Sequence, residues 1–118
     1  MTLQECYDQM NGSYSDARSR LMMDSMIERF IVKFLDDRTM EDLRQAVREG
    51  DIAVSFRQAH TLKGVAANLS FTGLQQAASE LTEQLRPQKA PANPGLLAKV
   101  EDAYQKTVDA IRAYQAEK

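Results

Sequence analysis

Gln58-Ala59-His60-Thr61-Leu62-Lys63-Gly64-Val65-Ala66-Ala67-Asn68-Leu69 holds the only histidine of the 118-residue chain. At about 100° per residue, Ile52, Phe56, Ala59, Leu62, Ala66 and Leu69 gather on one side of a helix. That is the i, i+3, i+4 pattern of a core-facing stripe. The spacing predicts a helix that is capped by Asp51, preceded by the terminating Gly50, and extended to about Leu69 or Ser70. The rest of the chain is written in the same pattern, and no segment alternates with period two, so no sheet is expected.

Working outward, residues 2–10 place Leu3, Cys6, Tyr7 and Met10 at helical spacing, and Asn11-Gly12-Ser13 is a break. Ser15 or Asp16 is expected to cap a long helix to about Leu35, with Met23, Met26, Ile27, Phe30, Ile31, Phe34 and Leu35 on its apolar side. Met22 and Met26 are the candidates there for partner surface, because Met adapts to different neighbours. After the polar Asp36-Asp37-Arg38, Thr39 is expected to cap a short helix with Met40, Leu43 and Val47 inward. Thr72 and Gln75 have capping-box spacing before the stripe Leu74, Ala77, Ala78, Leu81, Leu85. Pro87, Pro91 and Pro94 mark a loop, and Asn93-Pro94 pairs a cap with a first helical residue. The last helix carries Leu97, Val100, Tyr104, Val108 and Ile111. The expected fold is all-α: one domain over residues 1–118, an antiparallel four-helix bundle with the N-terminal and 39–49 helices as short accessories.

Composition excludes several classes of function. A formal net charge of -2 leaves no broad basic surface for nucleic acid. No apolar run approaches the roughly 18 residues that span a membrane. The single cysteine, Cys6, has no internal disulfide partner, which fits a reducing cytoplasm. Five scattered glycines build no phosphate-cradling loop. One His and one Cys on distant segments make neither a nucleophile pair nor a zinc site. No autonomous enzyme activity, bound metal or cofactor is expected, and a monomer is the expected state.

A lone exposed histidine still has one chemistry open to it. His60 falls about 120° from the centre of the apolar stripe by helix geometry, in the sector of Ala53, Arg57, Gly64 and Ala67. Neutral imidazole is a nucleophile near pH 7 and carries a phosphoryl group on a ring nitrogen. Lys63 and Arg57 offer charge-assisted donors to such a group. Gly64, one turn after His60, is unfavourable in a helix by about 1 kcal/mol relative to Ala and leaves room beside the ring. The plainer reading is a surface histidine with a glycine placed for helix packing. It is weakened because His, Lys and Gly coincide on one short stretch.

His60-Thr61-Leu62-Lys63-Gly64 resembles the H-x-L-K-G signature of histidine-containing phosphotransfer (HPt) domains, the carriers of multistep two-component phosphorelays. Glu49-Gly50-Asp51 resembles the family's turn before the histidine helix, and Ala66-Ala67-Asn68-Leu69 its A-x-N-L segment; Ser70 stands where the family usually has Gly. The resemblance implies reversible phosphorylation of His60, stabilisation of the phosphoryl group by Lys63 and access at Gly64. It implies receiver domains of response regulators or hybrid kinases as partners, with any Mg²⁺ carried by the receiver; the face expected to dock them is the helical sector of Ala53, Arg57, Gly64 and Ala67. The rival expectation is a helical adaptor that binds receivers or other signalling proteins without chemistry.

Overall fold

A computed structural model of the chain describes residues 1–117, and every regular element among them is helical. In order these are α1 (Leu3–Gln9), α2 (Tyr14–Leu21), α3 (Asp24–Phe34), α4 (Thr39–Arg48), α5 (Ile52–Asn68), α6 (Thr72–Leu85) and α7 (Pro94–Ala116).

The α5–α6 hairpin is the centre of the fold. Gly50 ends the α4 segment at φ +70, where a side chain would be strained. Asp51 then caps α5 by accepting the Val54 N–H at 3.1 Å. Ala59, Leu62 and Ala66 are wholly buried, and Ile52, Phe56 and Leu69 pack against the same core from its edge. On α6, Leu74, Ala78, Leu81 and Leu85 are wholly buried. α7 returns along α6, with Lys99 paired to Glu80 and the Asn93 N–H donated to Gln84. Asn93 caps α7 by accepting the Gly95 and Leu96 N–H groups, with Pro94 at its first position. α3 runs opposite to α7: Phe34 meets Tyr104 at 5.9 Å between ring centroids, and Tyr114 donates to Glu28 at 2.8 Å.

Three of the buried hydroxyls keep to their own helices. Ser55, Thr82 and Thr107 each donate to the carbonyl four residues back, so none is left unsatisfied in the core.

Several expected boundaries move. The long helix from Ser15 or Asp16 to Leu35 is two helices, broken at Met22, which lies in the left-handed region at φ 68. Its cap is Ser13, which accepts the Asp16 N–H. The two halves are held by different parts of the molecule. α2 is tied to the α5–α6 turn, where Ser13 N–H donates to the Ser70 carbonyl, while α3 buries Ile27, Ile31 and Phe34 in the core. Met22 and Met23 are left exposed at the corner, and Met26 is half-buried. Thr39 is the first residue of α4 and not its cap; the Asp37 carboxylate accepts its N–H instead. Thr72 likewise opens α6 without a side-chain cap, which removes the expected capping box.

The short helices are more than accessories. α1 buries Leu3, Cys6 and Tyr7, and α4 buries Met40, Leu43 and Ala46. Tyr7 donates to the Leu69 carbonyl and stands 5.8 Å from Phe71, which in turn meets Phe34 edge-on at 5.1 Å. Aromatic pairs of this kind contribute about 0.5–1.5 kcal/mol each beyond their burial.

Candidate functional site

The buried stripe of α5 fixes which residues face outward. With Ala59, Leu62 and Ala66 sealed in the core, His60 is exposed, as are Ala53, Arg57 and Gly64; Lys63 and Ala67 are half-buried. All six expected residues therefore lie on one helix, Lys63 half-buried at the border between the core stripe and the His60 sector. A Cβ added at Gly64 would meet nothing within 4 Å. The glycine serves no close packing in the fold, and the strip beside the imidazole is bare. Among the described residues, Lys63 and Arg57 make no ion pair.

The imidazole is not free-standing. Its ring stacks with Phe56, one turn earlier, at 6.1 Å between centroids and 25° between planes. The Arg86 guanidinium, from the end of α6, lies 5.3 Å from the centroid of the same Phe56 ring, within cation–π range. Arg86 is joined to Glu83 at 2.6 Å. That hydrogen bond holds the Glu83 carboxyl below its ordinary range, and the charges of Lys63 and His60 add to the effect.

The far end of the strip is less open than expected. The Ala67 carbonyl accepts a hydrogen bond from Arg20 of α2. Arg20 is paired with Asp16 at 2.7 Å, and Asp16 also accepts from the Ser70 hydroxyl at 2.7 Å. That hydroxyl, and after it Arg20, lowers the Asp16 pKa. Ser70 is buried and left-handed at φ 61, the conformation in which glycine is normally preferred. Its side chain offsets part of that strain by bonding to α2.

The sequence reading missed Glu83, Arg86 and Arg20, and placed Phe56 only in the core stripe. The i, i+4 spacing of Phe56 and His60 was a readable signal for the stack. Arg86 is reached only through the register of the α5–α6 hairpin, and Arg20 only through the docking of α2.

The second nucleophile of the chain stands apart. Cys6 is wholly buried, its thiol directed at the Ala110 carbonyl at 3.5 Å and pushed up to about 11 by burial. No group of three His, Cys, Asp or Glu side chains among the described residues is arranged to hold a metal ion, and no helix among them is long and apolar enough to cross a membrane.

The family model that matches this chain is that of the Hpt domain, over residues 25–114. The match opens one residue into α3 and closes within α7, so α1, α2 and the Arg20–Asp16–Ser70 link fall partly or wholly before it. Neither a curated protein nor a solved structure matches the chain.

Proposed function

The chain belongs to the Hpt domain family, and from that membership we propose that it relays a phosphoryl group through His60 to and from the aspartates of receiver domains. The observation that carries the proposal is the coincidence, on the open face of α5, of the chain's one imidazole, the half-buried Lys63 and a glycine that the fold itself does not need. α3, α5, α6 and α7 are taken as the antiparallel four-helix core that presents this face, within one domain.

In the forward step a receiver carrying an aspartyl phosphate docks over Ala53, Arg57, Gly64 and the open side of Ala67. The lone pair of one His60 ring nitrogen attacks phosphorus in line with the departing carboxylate oxygen. The P–N bond forms as the P–O bond breaks, and the electron pair leaves with the aspartate. Charge on the three equatorial oxygens is met by Lys63 and Arg57 and by the metal that the receiver brings. Return of the group to another receiver retraces the step. His60 supplies the nucleophile; positioning and activation are shared with the partner, so the protein is a phosphocarrier without cofactor or catalytic site of its own. The exposed strip is narrow, which fits a monomer that binds transiently, and the lone buried Cys6 fits the cytoplasm.

Incubation with phosphorylated receiver domains, followed by assay for acid-labile, base-stable phosphate, tests the proposal. Label is expected on the native protein and absent from a folded His60→Gln variant. Absence of transfer from every receiver, with the native protein folded, overturns it in favour of a non-catalytic adaptor.

A further inference from the structure

The relay step uses His60, Lys63, Arg57 and Gly64. It leaves unused a chain of contacts beside the imidazole: the Phe56 ring stacked on His60, the Arg86 guanidinium 5.3 Å from the Phe56 centroid, and Glu83 bonded to Arg86 at 2.6 Å. Glu83 and Arg86 are both about half exposed, at 58% and 50% of their side chains. A pair so open contributes little to stability, so holding the fold together does not account for its placement. What it does is occupy a third cation of the neighbourhood, after Lys63 and Arg57. Arg86 is the residue that ends α6, just past Leu85, and it reaches the Phe56 edge of the site already paired with Glu83.

We propose that Glu83 sets how long a phosphoryl group stays on His60, by holding Arg86 against Phe56 and keeping a carboxylate on the site's α6 side. The inference rests on the phosphocarrier reading above. Its physical content is competition. A phosphoryl dianion on the imidazole and the Glu83 carboxylate seek the same cations, and each destabilises the other through space. With Glu83 ionised, Arg86 stays on its helix partner and the dianion is served by Lys63 and Arg57 alone. The phosphoramidate bond is thereby kept easy to break, whether the acceptor is a receiver carboxylate or water. In hydrolysis the water oxygen bonds to phosphorus, the P–N electron pair returns to the ring nitrogen, which takes up one of the water's protons, and hydrogen phosphate leaves with the other. Glu83 acts through Arg86 and the local field; it is a positioning residue and not a catalytic one. The lowered carboxyl of Glu83, to which Lys63 and His60 contribute, agrees with that placement.

The experiment phosphorylates the full chain with phosphoramidate, a donor that needs no partner, and follows the phosphohistidine by ³¹P resonance and by acid lability. Glu83→Gln is expected to lengthen the half-life of the phosphorylated form about threefold to tenfold at low ionic strength. The gain should shrink as salt approaches molar concentration, where exposed charges are screened. A purely structural role would not give that salt dependence. Adding Arg86→Gln to Glu83→Gln should return the half-life toward the native value, because the freed guanidinium is the agent. Label on His60 with the same half-life in native and Glu83→Gln proteins overturns this inference and leaves the phosphocarrier reading standing. Native protein that takes no label on His60 from phosphoramidate or from any receiver overturns both.

Discussion

Gly64→Ala separates what the fold needs from what the partner needs, because the two have opposite signs. The added methyl meets no atom within 4 Å, so no clash opposes it. Within a helix, Ala is favoured over Gly by about 1 kcal/mol, through the backbone entropy that Gly loses on folding. For a chain of this size that is a rise in melting temperature of about 4 °C. The same methyl stands on the bare strip beside His60, where, in the relay proposed above, a receiver brings its phosphorus into line with the ring nitrogen. A misplacement of about 1 Å in such an approach lowers the rate by up to about a hundredfold. Transfer from a phosphorylated receiver should therefore fall by about tenfold to a hundredfold, while labelling by the small donor phosphoramidate stays near native. Thermal melts and single-turnover transfer on one preparation give both numbers. A fall in stability would show that the fold does require Gly64. Native transfer rates in a stabilised variant would refute its role as the point of access.

Two further outcomes follow from the turn and the core. Ser70→Gly should leave stability within about 0.5 kcal/mol of native: relief of the left-handed backbone, about 1 kcal/mol, offsets loss of one hydrogen bond of similar worth. Ser70→Ala keeps the strain and loses the bond, and should lower stability by about 1–2 kcal/mol in urea melts; equal effects of the two changes would refute the backbone part of that reasoning. Burial raises the Cys6 thiol from 9.0 to about 11, so its contribution to stability is complete below about pH 9 and is lost as the pH rises toward 11. Native protein at pH 8 should resist iodoacetamide until it is unfolded in denaturant, and prompt alkylation of the folded form would contradict the packing of α1 on α7.

Where the chain carries its own punctuation, the sequence is easy to read. Gly50 and Asp51 bound the histidine helix by chemistry that is local to them, and the apolar stripe orients it, so His60, Lys63 and Gly64 fall where the periodicity puts them. The break at Met22 has no such mark. Arg20-Leu21-Met22-Met23-Asp24 contains neither Gly nor Pro, and the left-handed Met22 is imposed by anchors far away in sequence, at Ser70 and in the core. Thr72 has the spacing of a capping box, yet the tight left-handed turn at Ser70 makes it the first helical residue instead. The surroundings of the imidazole follow the same rule. Phe56 is one turn away and belongs to the same helix, whereas Glu83, Arg86 and Arg20 arrive from other helices and depend on how α2, α5 and α6 dock.

The Phe56–His60 stack makes the site its own spectrometer. The chain has one histidine and no tryptophan, so the carbon-bound imidazole protons of His60 belong to one residue, and the one between the two ring nitrogens stands clear of the Phe and Tyr ring protons in deuterated water without isotopic labelling. They lie close to an aromatic ring, whose circulating electrons shift their resonances by an amount set by distance and tilt. Any event that moves Phe56, whether a partner settling on the face or Arg86 leaving the ring, writes itself into the chemical shift of the proposed phosphoacceptor.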